Sequence, residues 1–291
     1  MTLKCLRKCT CFVGRESVVQ PAANRRTPGT IHKQVTHSMR ISIFTLPRPV
    51  EYLSATLDNL FAVDPRANPD NVALYYQATE APELRHALGH IELASQELLG
   101  LLSKVPPGER ATYNYARSLK WLAAGNQNGL NHQFGIALED DLIFARNFTS
   151  RVESLCRMAH SLTPRFMISL HHFYDLKKFH PAGRAKRAGG ADDALLKWTD
   201  PNSFYGSQAM AFPSGIAGEL SDAFISKLGP LGSPLPPNTH LWYMDMGLKR
   251  LAMERRIILY TVHPCLIQHV GAISVVCERR APLVNQHFDP N

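Results

Sequence analysis

Seven short apolar runs recur along the 291-residue chain, and the segments between them place apolar residues at helical spacing. Each run is three to six residues long, which suits a buried strand and is too short for a stable helix. Strands alternating with helices predict an α/β fold, with a mainly parallel central sheet flanked by helices. The predicted strands are 40–45, 72–77, 134–138, 166–170, 210–212, 257–260 and 266–268.

The segments between the runs predict six helices. These helices lie near 49–62, 81–103, 109–124, 148–158, 216–228 and 244–254. Pro and Gly residues interrupt this rhythm at 180–193, where they predict a mobile, basic surface loop. No internal repeat and no linker between two cores is visible, so we expect one domain at 39–277 and a tail at 278–291.

The first 38 residues differ from the rest in charge and pattern. They carry seven of the 32 Lys and Arg residues and one of the 24 Asp and Glu residues, although the whole chain has a net charge of only +8. They show no apolar period, which predicts a disordered basic arm at 1–38. The remaining chain is nearly neutral, which argues against a nucleic-acid-binding domain.

Membrane and targeting signals are absent from the sequence pattern. No run of about 18 apolar residues predicts a transmembrane helix, and the arm lacks the apolar core of a signal peptide. We therefore expect a protein that is cytoplasmic or peripheral to a membrane.

Three consecutive acidic residues, Glu139-Asp140-Asp141, follow the predicted strand 134–138. The carboxyl ends of parallel strands face the ligand crevice of an α/β fold. Carboxylates at such a position can hold a hard divalent cation, which can also bridge a diphosphate. The alternative is that the triplet lies in the first turn of the next helix, where acidic residues are favoured.

Four motifs resemble those of GT-A fold glycosyltransferases. They are Ile41–Arg48, Ala137–Ile143 with the acidic triplet, Tyr205–Pro213, and Gln268–Gly271. In this order they resemble the superfamily of N-acetylglucosaminyltransferase IV and of the N-acetylgalactosamine transferase that acts on GPI glycans. The resemblance covers roughly residues 40–275.

This resemblance implies a single GT-A domain that moves a sugar from a UDP-sugar to a glycan or glycolipid hydroxyl. It implies an N-acetylhexosamine or a hexose as the sugar, inversion at the anomeric carbon, and Mn²⁺ or Mg²⁺ as the cation. By the same resemblance Asp141 is the metal ligand, and His269 contacts the metal or the diphosphate. Gly271 would allow the backbone to approach the phosphates closely.

Asp245 is the candidate general base of the transfer. It follows a loop rich in Pro and Gly and stands in the first turn of the predicted helix 244–254. The resemblance implies that it accepts the proton of the acceptor hydroxyl, and the alternative is a residue that only caps the helix. In either case the helix N-terminus is expected to hold its pKa low.

The remaining candidates are donor-binding residues. Asp140 would contact the ribose or, through water, the metal, while Glu139 would be structural. Arg117 would pair with the diphosphate or with Asp140, or would lie on a solvated helix face. The nucleotide and the sugar pocket would be lined by Thr45, Arg48, Gly206, Ser207 and Gln208.

Three histidines, the adjacent pair His171 and His172 together with His180, suggest a zinc site. Neighbouring residues of a strand point to opposite faces, so the two rings are not expected to share one ion. We instead predict surface histidines on the acceptor side. Two alternatives to an enzyme stay open: a nucleic-acid-binding protein that uses the arm with Arg184, Lys186 and Arg187, and a nucleotide-sugar-binding protein without turnover.

Overall fold

A nine-stranded sheet lies at the centre of the protein, and a separate two-stranded ladder accompanies it. The computed structural model describes residues 39–45, 52–124, 133–172, 176–186, 192–204, 206–230, 233, 236, 238, 242–270 and 287–291. In chain order the elements are β1 (Arg40–Thr45), α1 (Leu53–Val63), β2 (Val72–Tyr76), β3 (His90–Leu93), α2 (Gln96–Leu102), α3 (Pro107–Ala124), β4 (Phe134–Leu138), β5 (Leu142–Phe144), α4 (Phe148–Leu162), β6 (Phe166–Ser169), β7 (Phe179–Ala185), β8 (Asp193–Trp198), β9 (Ala209–Pro213), α5 (Ser214–Leu228), α6 (Met244–Glu254), β10 (Ile258–His263) and β11 (Ile267–His269).

The large sheet is mixed, and the expectation of a mainly parallel sheet was wrong in this respect. Its strand order is β3-β2-β1-β4-β9-β6-β10-β8-β7. The first four strands are parallel to one another, as are β6 and β10. Strand β9 runs antiparallel between these two groups, and β8 and β7 extend the sheet in antiparallel order. A buried apolar run has the same composition in either direction, so strand direction was not predictable from it.

Helices cover both faces of the sheet, as the α/β prediction required. Successive residues of β1 point to opposite faces: Ile41 and Ile43 pack with apolar side chains of α1 and α4. Phe44 packs on the other face, with side chains of α3, α5 and α6. Because both faces are covered, β1, β4 and β9 are almost continuously buried, which explains the uninterrupted apolar runs of β4 and β9.

Two predicted segments differ from the structure, and both involve edge strands. The predicted helix at 81–103 is confirmed only as the short α2, and β3 occupies part of the remainder. The predicted loop at 180–193 contains β7 as far as Ala185, with an irregularity in pairing between Pro181 and Gly183. An edge strand pairs on one side only, so it tolerates Pro, Gly and charged residues that hide its pattern.

The ends of the chain are described only in part. The predicted arm at 1–38 lies outside the described residues, and so does most of the predicted tail. Residues 287–291 contact the rest of the protein: the amide of Cys265 donates to the carbonyl of His287, and Phe288 packs against the core. Among the described residues, no helix has the length and apolar character needed to span a membrane.

Candidate functional site

The acidic triplet lies where the strand order of the sheet reverses. Strand β1 is flanked by β2 on one side and by β4 on the other, and all three run parallel. The chain moves outward from β1 to β3 and then returns beside β1 as β4. Such a switch point leaves a crevice at the carboxyl ends of the strands, where α/β proteins bind ligands. Thr45 ends β1 in this crevice, and Glu139-Asp140-Asp141 follow β4.

The triplet is not a helix cap, so that alternative was wrong. Strand β5 follows it directly, and α4 begins only at Phe148. The start of α4 is instead satisfied by another carboxylate, because Asp64 accepts a hydrogen bond from the backbone N–H of Thr149. The carboxylates of the triplet therefore do not stabilise the N-terminus of α4.

Two threonines fix the middle of the triplet. The hydroxyl of Thr56 on α1 donates to the carbonyl of Asp140 at 2.6 Å and accepts from the N–H of Leu142 at 3.1 Å. The hydroxyl of Thr45 donates to the Asp140 carboxylate, which is completely buried. Asp140 thus joins the end of β1 to the turn after β4, and Glu139 and Asp141 are held on either side of it.

The short ladder of β5 and β11 brings His269 to the triplet. In this ladder His269 lies opposite Leu142, the residue after Asp141, and the N–H of Val270 donates to the Asp141 carbonyl at 2.9 Å. The His269 Nε2 atom lies 3.2 Å from an Asp141 carboxylate oxygen and 3.8 Å from one of Glu139. The structure therefore brings together Asp141 and His269, the two predicted metal ligands.

Glu139, Asp141 and His269 form one group, called here the cation group. One ligand atom from each lies within 4.8 Å of the others. The Asp141 side chain is 3% exposed, and those of His269 and Glu139 are 16% and 18% exposed. Two carboxylates held so close together and partly out of water repel each other, and a cation relieves this cost. Two carboxylate oxygens and an imidazole nitrogen fit a first-row divalent ion such as Mn²⁺.

The second part of the site is the loop Gly206–Gln208, which leads into β9. The Asp245 carboxylate, in the first turn of α6, accepts hydrogen bonds from the N–H groups of Gly206 at 3.1 Å and Ser207 at 2.7 Å. Gly206 has φ +140°, and a Cβ there would lie 3.0 Å from the His171 carbonyl oxygen. This position therefore requires glycine, and Asp245 ties the loop to α6.

Asp245 has a raised pKa, and the expectation of a low one was wrong. Burial raises the pKa of its carboxyl, and this effect exceeds the lowering by hydrogen bonds from Gly206 and Ser207. The helix N-terminus alone would have acted in the opposite direction. A raised pKa makes the carboxylate a stronger proton acceptor, as a general base requires.

His171 and His172 are buried, so the prediction of surface histidines was wrong for these two, whereas His180 is exposed as predicted. Both follow the end of β6 rather than lying within a strand. Burial, with the neighbouring His269 and His172, lowers the pKa of His171 to about 3, against a hydrogen bond with the Gln208 side chain. His171 thus adjoins both the cation group and the Gly206 loop. The ring of His172 stacks on that of His287, with centroids 5.1 Å apart.

The other predicted donor-binding residues take different positions. The Arg117 guanidinium pairs with Glu92 of β3 rather than with Asp140. Ser207 and Gln208 are nearly buried, while Arg48 and Gly271 lie outside the described residues.

Sequence reasoning missed Asn114, one helical turn before Arg117. Its side-chain amide donates to the carbonyls of Thr45 at 2.9 Å and Tyr75 at 2.7 Å. Asn114 therefore links α3 to the carboxyl-terminal ends of β1 and β2 beside the crevice. The sequence signal was an asparagine in the middle of the predicted helix 109–124, a position that asparagine does not favour.

Comparison with known proteins assigns neither a family nor a function to this chain. No protein-family model matches the chain, and no curated protein matches its sequence. The function must therefore be inferred from the geometry of the site and from the sequence motifs.

Proposed function

We propose that this protein is a metal-dependent glycosyltransferase that uses a UDP-sugar as donor. The observation that carries the proposal is the cation group of Glu139, Asp141 and His269 at the switch point of the sheet. A nucleoside diphosphate brings negative charge that the surrounding carboxylates would repel. A divalent ion bound by the cation group would reverse this repulsion and hold the diphosphate.

The fold supports the same interpretation. An α/β sheet with its crevice at the ends of β1 and β4 is a common site for nucleotides. The four motifs that resemble GT-A glycosyltransferases converge on this crevice: Thr45, the acidic triplet, the Gly206 loop and His269 all belong to them. The GT-A assignment itself is part of the proposal, as are the glycan or glycolipid acceptor and the N-acetylhexosamine.

Asp245 would perform the proton transfer. The acceptor hydroxyl attacks the anomeric carbon, the bond from that carbon to the diphosphate oxygen breaks, and the proton of the hydroxyl passes to the Asp245 carboxylate. The bond that forms lies opposite the one that breaks, so the configuration inverts. The cation, when bound, neutralises the charge that develops on the leaving diphosphate. The raised pKa of Asp245 suits it to this role.

A nucleotide-sugar-binding protein without turnover would use the same cation group. It would not need a carboxylate with a raised pKa beside the Gly206 loop. In such a protein Asp245 would only tie the Gly206 loop to α6, and release of UDP separates the two functions.

The test is a donor screen. Purified protein is incubated with Mn²⁺ and each of a set of UDP-sugars, with and without mixed glycan acceptors, and released UDP is measured. We expect one UDP-sugar to give release that a chelator abolishes and that added Mn²⁺ restores. Release that persists unchanged in chelator would refute the metal-dependent mechanism, and absence of release with every donor would refute the transferase.

A further inference from the structure

Strand β5 connects the two halves of the cation group, because it follows Asp141 directly and pairs with β11, which carries His269. It has three residues, and β11 is its only strand partner in the part of the chain that the structure describes. A two-stranded ladder is marginally stable by itself. The approach of Asp141 to His269 therefore depends on support from another element.

Helix α1 supplies this support along the edge of β5 that faces away from β11. Alternate residues of an antiparallel strand direct their N–H groups to opposite sides. The N–H of Leu142 donates to the Thr56 hydroxyl at 3.1 Å, and the N–H of Phe144 donates to the Asn59 side-chain oxygen at 2.7 Å. Thr56 and Asn59 are three positions apart, so they lie on one face of α1. This face takes the place of a neighbouring strand.

The Thr56 hydroxyl forms bonds on both sides of Asp141. Besides accepting from Leu142, it donates to the carbonyl of Asp140 at 2.6 Å. The carbonyl of Asp141 itself accepts from the N–H of Val270, at the end of the ladder. A hydroxyl is required at position 56, because one atom must both donate and accept. Thr56 is 1% exposed, so these bonds are made out of water and fix the backbone around Asp141.

We propose that Thr56 and Asn59 are positioning residues for the bound cation. They hold β5 against β11 so that the Asp141 carboxylate and the His269 imidazole converge on one ion. This inference rests on the proposed function. The His269 Nε2 atom lies 3.2 Å from an Asp141 oxygen, close to the roughly 3 Å between two ligand atoms that each lie about 2.1 Å from a shared ion. Residues that orient metal ligands without touching the metal strongly affect its affinity.

The test is Mn²⁺ titration calorimetry of metal-free protein, without nucleotide. Thr56→Val removes the hydroxyl and keeps the shape, whereas Thr56→Ser keeps the hydroxyl. Ser221→Ala is the matched control, because the buried Ser221 hydroxyl of α5 donates to the carbonyl of Ala116 on α3 at 2.7 Å. It too loses one hydroxyl that joins two elements. Melting temperatures, and hydrogen exchange of peptides covering 140–145 and 265–270, are measured without metal.

We expect Thr56→Val to bind Mn²⁺ roughly tenfold more weakly than the wild type. Thr56→Ser should recover most of that affinity, because its hydroxyl can make the same two bonds. Both Thr56→Val and Ser221→Ala should melt at a lower temperature, since each leaves a buried carbonyl without a donor. Only Thr56→Val should also speed hydrogen exchange in both peptides, and Ser221→Ala should bind Mn²⁺ like the wild type.

Wild-type Mn²⁺ affinity in Thr56→Val would overturn the inference. An equal loss of affinity in Ser221→Ala would do the same, because the loss would then follow stability alone. If Thr56→Val did not fold, Asn59→Ala would decide, since Asn59 is only half-buried: a smaller loss of affinity is expected there, and none would contradict the assignment. Absence of Mn²⁺ binding in the wild type would instead refute the cation group and the proposed function.

Discussion

Two buried groups of charged side chains in this protein are built in opposite ways. Arg151 of α4 and Asp193 of β8 form an ion pair whose side chains are 4% and 2% exposed. Two guanidinium nitrogens bind the two carboxylate oxygens, at 3.0 and 2.7 Å, and the third donates to the Asn291 carbonyl at 2.8 Å. The cation group instead sets the carboxylates of Glu139 and Asp141 around one histidine.

The difference separates a structural ion pair from the proposed cation site. In the Arg151–Asp193 pair the chain supplies both charges, and its hydrogen bonds offset the cost of removing these charges from water. In the cation group the chain supplies an excess of negative charge, since a histidine is charged only when protonated. The first arrangement is complete in the free protein, whereas a bound cation would stabilise the second.

Breaking the structural pair should have the largest effect on stability. Arg151→Met leaves the Asp193 carboxylate buried without its cation, which costs about 3–5 kcal/mol. Chemical denaturation should show this loss. Arg157→Met on the same helix is the control, because Arg157 is 60% exposed in its pair with Glu153 and the change should cost under about 1 kcal/mol. A similar loss of stability in both variants would mean that burial does not determine how much each ion pair contributes to the free energy of unfolding.

Asp245→Asn should affect turnover much more than folding. The asparagine oxygen can still accept from Gly206 and Ser207, so we expect little change in the melting temperature. Loss of the proton acceptor should lower turnover by roughly 10²–10⁴-fold, with UDP affinity retained. The measurement is turnover at saturating donor beside UDP binding. A fall of less than tenfold would leave Asp245 as an anchor of the Gly206 loop only.

His171 should make the protein sensitive to acid. Its pKa in the folded protein is about 3, below the value of about 6.5 in an unfolded chain. The unfolded state therefore binds the proton first, and stability is full above about pH 6.5 and falls as the pH drops towards 3. Within that window one such group lowers the free energy of unfolding by about 1.4 kcal/mol for each unit by which the pH falls.

His171→Gln should reduce this slope, as measured by denaturation at pH 7.5, 6.0 and 5.0. His180→Gln on β7 is the control, because His180 is exposed, and it should follow the wild type. A slope in His171→Gln that equals the wild-type slope would show that other groups govern the acid sensitivity.

The parts of the site that lie next to one another in the sequence follow from local pattern, whereas the pairing of Asp141 with His269 was expected only from the family resemblance. The strand before Glu139, the triplet and the helix that begins beside Asp245 all follow from local pattern. The strand predicted at 266–268 corresponds to β11, whereas its three-residue partner β5, which brings His269 to the triplet, has too little pattern to detect.

Electrostatic and hydrogen-bonding details were the least predictable. The raised pKa of Asp245 results from burial under several elements, which no local pattern reveals. Arg117 was expected to pair with the diphosphate or with Asp140, or to lie on a solvated helix face. It pairs with Glu92, since a helix pattern does not show which neighbour each polar side chain meets.

The most direct test is Mn²⁺ binding to the cation group, without nucleotide or sugar. Titration calorimetry of metal-free protein should show one bound Mn²⁺ per chain in the wild type. In Asp141→Asn the affinity should fall roughly tenfold or more, while the melting temperature without metal stays level or rises because a repulsion is removed. Asp200→Asn, which changes an exposed carboxylate that caps a short helix at Asn202, should bind like the wild type. Equal Mn²⁺ affinity in Asp141→Asn, or no Mn²⁺ binding in the wild type, would contradict a cation site at the switch point of this sheet.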